Sequence, residues 1–144
     1  MAVLVTGGAG FIGSHISKRL MDLGYEVIIV DNFNEYYKPS LKEDRIKIFL
    51  KDYKFKLYII DIADFRVLKK IFQENKIDII CHQAAQAGVR YSLENPFIYE
   101  EVNLKGTLNL LELAKEFKIK GFIFASSSSV YGGNEKIQCC MENK

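Results

Sequence analysis

The chain has little net charge: 20 Lys and Arg stand against 18 Asp and Glu in 144 residues, a net of +2. So mild a balance gives no ground for a nucleic-acid partner. No apolar run approaches the roughly 20 residues that a membrane span needs, and Met1 leads straight into a strand without a basic region and cleavage site. A cytoplasmic location with no membrane partner is therefore expected. Cysteine is scarce as well. Cys81 lies inside an apolar strand and Cys139 and Cys140 are adjacent near the end, which gives neither a disulfide framework nor metal-ligand spacing. No metal is expected, and Cys81 reads as a buried thiol. Repeats, low-complexity tracts and linkers are absent too. With 49% hydrophobic and 26% charged residues, the chain can bury one core, hence one domain.

What is present begins at once. Val3-Leu4-Val5-Thr6 is a short apolar strand that stops at Gly7, and Gly10 and Gly13 follow at intervals of three before a helix. In such a loop the first glycine allows a tight turn and the second lets backbone approach a ligand. The third lets helix and strand pack closely, so that N–H groups at the helix N-terminus face a pyrophosphate. A second strand, Glu26–Val30, ends in Asp31, about 18 residues past Gly13 and close to the roughly 20 expected of the acid that holds an adenosine ribose. Its carboxylate is expected to accept from both ribose hydroxyls and to repel a 2′-phosphate, which favours NAD over NADP.

The remaining chain alternates helices and strands. The first helix is expected from about Phe11 to Leu23, with Ile12, Ile16, Leu20 and Leu23 as its apolar face and Gly24 as its stop. His15 on it reads as a solvent-facing or packing residue. After a loop whose Phe33, Tyr36 and Tyr37 either cover an adenine edge or pack the loop, Ser40-Leu41-Lys42-Glu43 has capping-box spacing and predicts a helix to about Lys51. The third strand, about Phe55 to Ile60, leads to Asp61, and Asp64 caps a helix with Phe65, Leu68, Ile71 and Phe72 on its apolar face. Ile77–His82 is the fourth strand. His82, ending it, reads as a satisfied core histidine, and the small residues of Ala84-Ala85-Gln86-Ala87-Gly88 let backbone lie beside a cofactor.

A long helix is predicted from the Asn95 cap to about Lys118 with two apolar stripes, Phe97, Leu104, Leu108 and Leu111 on one side and Tyr99, Val102, Leu110, Leu113 and Phe117 on the other. One stripe must cover the sheet; the other needs a further helix or a second subunit, so a homo-oligomer through residues 96–118 is expected. The fifth strand, Gly121–Ala125, runs into Ser126 to Ser129, whose hydroxyls bond either a substrate hydroxyl or one another and the backbone. The whole is an α/β doubly wound parallel sheet of five strands with right-handed crossovers, ordered 3-2-1-4-5.

Thr6–Gly13, Asp31-Asn32, Asp61-Ile62, His82–Ala85 and Ser127–Gly132 resemble the extended short-chain dehydrogenase/reductase family, which holds NAD-dependent sugar-nucleotide epimerases and dehydratases. Ala84–Pro96 and the loop from Asp31 to Tyr37 are most similar to UDP-glucuronate 4-epimerases. The resemblance implies a Rossmann NAD-binding domain over residues 1–134, with 135–144 departing from the family. It implies Gly7, Gly10, Phe11 and Ile12 at the pyrophosphate, Asp31 and Asn32 at the ribose, and Asp61 and Ile62 at the adenine. Ala84, Ala85, Gln86 and Asn103 are implied along the rest of the cofactor. Ser127 is implied to hold the reacting oxygen as the catalytic serine, with Ser128 beside it, and Arg90 either faces an anionic UDP-sugar or is a surface arginine. The family's Tyr-x-x-x-Lys pair would come about 20 residues past Tyr131, and none of the eight tyrosines has a lysine four residues on. The expectation is therefore a cofactor-binding portion without its own general base and inactive alone, or else a stand-alone dinucleotide-binding module.

Overall fold

The computed structural model describes residues 1–127 and Val130. Five strands, β1 (Ala2–Thr6), β2 (Glu26–Asp31), β3 (Lys56–Ile59), β4 (Ile79–His82) and β5 (Gly121–Phe124), form one parallel sheet in the order β3-β2-β1-β4-β5. The apolar runs of the central strands β1, β2 and β4 are nearly continuous because both faces of the sheet are covered there, whereas Ile59 on β3 and Ile123 and Phe124 on β5 are exposed. Leu4, Ile28, Val30 and Ile80 point to one side, where they meet Leu68, Ile71, Phe72, Leu110 and Leu113. Val3, Val5, Val27, Ile29 and Cys81 point to the other, against Ile16, Leu20 and Leu50. The register places Leu4 between Ile28 and Ile80, so the centre of the sheet is the centre of the core. At the opposite end of the strands from the glycine loop, Asp78 accepts from the Ala2 N–H at 2.9 Å and from Lys120 Nζ at 2.7 Å. Those bonds, that of Lys120 foremost, hold its carboxyl below the ordinary carboxylate range.

Helix α1 runs Phe11–Asp22, and Gly24 ends it in the left-handed region at φ +82°. Its buried face corrects the expected one. Gly13, Ser14 and Ser17 are buried, whereas Ile12 and Leu23 are 62% and 56% exposed. Helix and strand approach too closely at the glycine turn for a large side chain, so small residues take the inner positions and Ile16 and Leu20 pack beside them. The second helical segment, α2 (Pro39–Asp44) followed by wide π-helical turns over Arg45–Phe49, also differs from expectation. Ser40 makes no capping box: Pro39 takes the first turn, its fixed φ suited to that place, and Lys38 stands at the N-cap.

Helix α3 (Phe65–Glu74) begins as predicted, with the Asp64 carboxylate accepting from the N–H groups of Arg66 and Val67; Leu68, Ile71 and Phe72 are buried, while Phe65 stays 37% exposed. A short helix α4 (Val89–Glu94), unforeseen in the sequence, precedes α5 (Pro96–Tyr99), π-helical turns over Glu100–Gly106, and α6 (Thr107–Glu116), which continue as one helical rod. Asn95 precedes this rod without a side-chain cap bond.

The two stripes on the rod separate into a buried and an exposed face, although Glu100–Gly106 take wider π-helical turns. Leu110 and Leu113 are buried over the sheet and Val102 is buried as well, whereas Phe97, Leu104, Leu108 and Leu111 are exposed. Leu113→Ala is accordingly expected to lower the unfolding free energy by about 3 kcal/mol, against no more than about 0.5 kcal/mol for Leu104→Ala, as read by urea denaturation. Among the described residues no helix is long and apolar enough to cross a membrane.

Candidate nucleotide-binding site

The carboxyl ends of β1, β2, β3 and β4 open on one edge, and the crevice between β1 and β4 is where the strand order reverses. Open α/β sheets bind ligands there. Gly7 holds φ +66°, a conformation that L side chains rarely adopt, and a Cβ on it would lie 2.8 Å from the Ala84 nitrogen. A Cβ on Gly13 would overlap the Gly7 carbonyl oxygen and stand 2.9 Å from Gly8 Cα. The loop is thus a backbone cradle that any side chain at these two positions would fill. No side chain caps α1, and its first turn carries no acid, so the donor end of the helix is left for a negative group. Phe11 and Ile12 are exposed beside it. These features fit a pyrophosphate.

Asp31, 5% exposed, is tied into the cradle. Its Oδ2 accepts from the Ala9 N–H at 3.1 Å, and its Oδ1 accepts from the Phe33 N–H at 2.9 Å and from Lys42 Nζ at 3.0 Å. Three of the roughly four acceptor positions of a carboxylate are filled from within the fold. The acceptor position left open within the fold is on Oδ2, which receives only the Ala9 N–H. Lys42 was not legible as part of this site, although a signal existed. Helical spacing puts it on the face of Ile46, Phe49 and Leu50, which packs on the sheet.

The neighbouring loops are joined by side-chain bonds. Asn32 Nδ2 donates to Asp61 Oδ2 at 2.9 Å and Asp61 Oδ1 accepts from the Ala63 N–H at 2.8 Å, so these two predicted site residues meet. Ile62 is buried, with Gly106 so close that a Cβ there would come within 2.7 Å of its side chain. Asn109 Nδ2 donates to the carbonyls of Ile62 and Ala63. Asn103, in the π-helical turns, accepts from the Gln86 N–H at 2.8 Å and donates to the Gln86 carbonyl at 3.0 Å. Ala84 lies against the core and Ala85 is exposed at the edge. The long helix therefore pins the loops after β3 and β4 with two asparagines. Arg90 is exposed on α4, and Ser127 is exposed beyond β5. Ser128 and Tyr131 lie outside the described residues.

His82 is the core residue its position suggested. It is 1% exposed, with Nδ1 2.7 Å from Thr6 Oγ1 and Nε2 2.9 Å from Thr107 Oγ1. The Thr6 oxygen already accepts from the N–H groups of Gln83 and Ala84, each at 3.2 Å. Its own proton therefore goes to Nδ1, and Nε2 carries the ring proton toward Thr107. Burial lowers the His82 pKa from 6.5 to about 4. The unfolded chain thus binds the proton first as pH falls: the stability present above about 6.5 is lost at up to about 1.4 kcal/mol per pH unit until about pH 4. Urea denaturation at pH 7 and pH 5 is expected to show this loss, and His82→Asn to lack that part of it.

A parallel sheet with a glycine cradle at its switch point defines the class: an open α/β nucleotide-binding domain. The chain belongs to the NAD dependent epimerase/dehydratase family, whose model matches residues 3–143. It is 53% identical over 139 residues to an uncharacterized protein of Methanocaldococcus jannaschii, covering 94% of this chain and 42% of that one. It is 49% identical over 130 residues to the UDP-glucuronate 4-epimerase of Thermodesulfobacterium geofontis, covering 90% of this chain and 40% of the relative. Among solved structures, the UDP-glucuronic acid 4-epimerase of Bacillus cereus in complex with UDP-glucuronic acid and NAD superposes with a TM-score of 0.82 at 38% identity, covering 93% of this chain and 42% of that one. The chain thus spans about two fifths of the length of these relatives.

Proposed function

We propose that these residues form the NAD-binding portion of a UDP-glucuronate 4-epimerase-type site. The observation that carries the reading is the backbone cradle of Gly7 and Gly13 opening onto an uncapped helix beside a buried Asp31. In this reading the donor end of α1 at Gly10, Phe11 and Ile12 holds the pyrophosphate, and Asp31 with Asn32 takes the adenosine ribose. Asp61 and the Ile62 backbone border the adenine, and the Ala84-Ala85-Gln86 strip, braced by Asn103, carries the remainder. NAD, when bound, supplies a hydride acceptor for the sugar carbon that changes configuration. Ser127 and Ser128 are the candidates to hold the reacting sugar oxygen, and Arg90 to face an anionic group of a UDP-sugar.

Among the described residues, His82 is not placed to serve as the base of the proton step. His82 is neutral, buried and bonded at both nitrogens, and no tyrosine here is followed four residues on by lysine. The chain by itself is therefore expected to bind NAD without turnover. That same observation favours a second reading, a dinucleotide-binding module with no chemistry. An assay for UDP-glucuronate epimerisation separates the two. The first reading expects no turnover by the chain alone and turnover once the C-terminal part of the Thermodesulfobacterium geofontis relative is added. Continued inactivity of the NAD-loaded mixture favours the second, and turnover by the chain alone overturns both. The exposed stripe of Phe97, Leu104, Leu108 and Leu111 supports self-association through the long helix; light scattering is expected to show a dimer or larger, and a monomer at high concentration contradicts it.

A further inference from the structure

Lys42 is a buried cation in the ribose corner of the site. It is 7% exposed, its Nζ lies 3.0 Å from Asp31 Oδ1 and 3.3 Å from Asn34 Oδ1, and it sits 6.0 Å from the centroid of the Phe33 ring. An ammonium is rarely buried unless paired, and here the pairing is to the carboxylate assigned to the ribose. A hydroxyl received by Asp31 thus approaches a nearly neutral ion pair, not a bare anion. The charge that keeps a 2′-phosphate out is balanced by a charge that would attract one.

We propose that Lys42 is a specificity-determining residue of this site. Paired with Asp31, it offsets the carboxylate charge that turns a 2′-phosphate away and so limits how strongly the site discriminates; once Asp31 is neutralised, the same ammonium receives a 2′-phosphate. The inference rests on the NAD-binding reading above. Arginine and lysine recognise phosphate through charge-assisted hydrogen bonds, and the Lys42 ammonium already lies 3.0 Å from Asp31 Oδ1. Asn34 keeps a second acceptor on the ammonium, so neutralising Asp31 does not leave Lys42 without a partner.

The test is calorimetric titration of the native chain and three variants with NAD and with NADP, after thermal melts establish that each is folded. The native chain is expected to prefer NAD. Asp31→Asn is expected to tighten NADP binding about tenfold or more, and Lys42→Met in that background to abolish the gain. Lys42→Met alone is expected to widen discrimination against NADP about tenfold, a readout that stands even where Asp31→Asn fails to fold. A loss of packing alone would weaken both nucleotides equally and leave their ratio unmoved. An NADP gain that survives Lys42→Met, or an unchanged ratio in Lys42→Met alone, overturns the role of Lys42 while leaving the NAD site intact. No heat from either nucleotide with the folded native chain overturns the site and this inference with it.

Discussion

Gly13→Ala is expected to lower the unfolding free energy by about 2–3 kcal/mol and NAD affinity about tenfold or more. The added methyl meets only backbone: it overlaps the Gly7 carbonyl oxygen and lies 2.9 Å from Gly8 Cα. No side chain can rotate away, so α1 must tilt off the strand and carry Gly10, Phe11 and Ile12 with it. Gly24→Ala makes the contrast. Its Cβ meets nothing within 4 Å, and only the +82° φ opposes it, a penalty of about 1–2 kcal/mol with NAD binding unchanged. Urea denaturation and NAD titration of the two variants separate loss of the cradle from loss of a glycine in general.

Asp31→Ala is expected to cost about 3–5 kcal/mol, a large part of the roughly 5–15 kcal/mol that holds a domain folded. The substitution strips the buried Lys42 of its counter-charge and leaves the Ala9 and Phe33 N–H groups without their acceptor. Adding Lys42→Met to Asp31→Ala removes the stranded charge, so the double variant is expected to recover much of the lost stability in urea denaturation. It is not expected to recover NAD binding, because the ribose acceptor is still gone. Equal stability of the single and double variants would show that the ion pair contributes little to holding the second helical segment in place.

Much of this fold is written in local pattern. The central strands are legible because burial on both sides makes them nearly unbroken apolar runs, and the strand order is the one that right-handed crossovers allow. The two stripes of the long helix are legible because side-chain direction advances about 100° per residue in an α-helix, and they separate into a buried and an exposed face even though Glu100–Gly106 take wider π-helical turns. Hydrophobicity misled at α1. Backbone approach at Gly13, not apolar character, decides its inner face, so Ser14 and Ser17 are buried while Ile12 is not. Ser40 carried a cap signal that the fixed geometry of Pro39 overrode.

The site divides in the same way. Glycine spacing and the acid after β2 mark the cradle and Asp31 because those roles are set by backbone and short-range geometry. The bonds from Asn103 and Asn109 to the loops after β3 and β4 depend on how the π-helical turns set the rod against the sheet, which no pairwise spacing shows. Lys42 was hidden for a different reason. A lysine on an inner helix face looks like an error of periodicity until the partner carboxylate, on another element, is brought beside it.

Whether the glycine cradle and Asp31 hold NAD is decided by titrating the native chain with NAD in a calorimeter. Saturable heat corresponding to one nucleotide per chain is expected, with affinity reduced about tenfold or more by Gly13→Ala. Folded native protein that gives no heat with millimolar NAD contradicts NAD binding at this cradle.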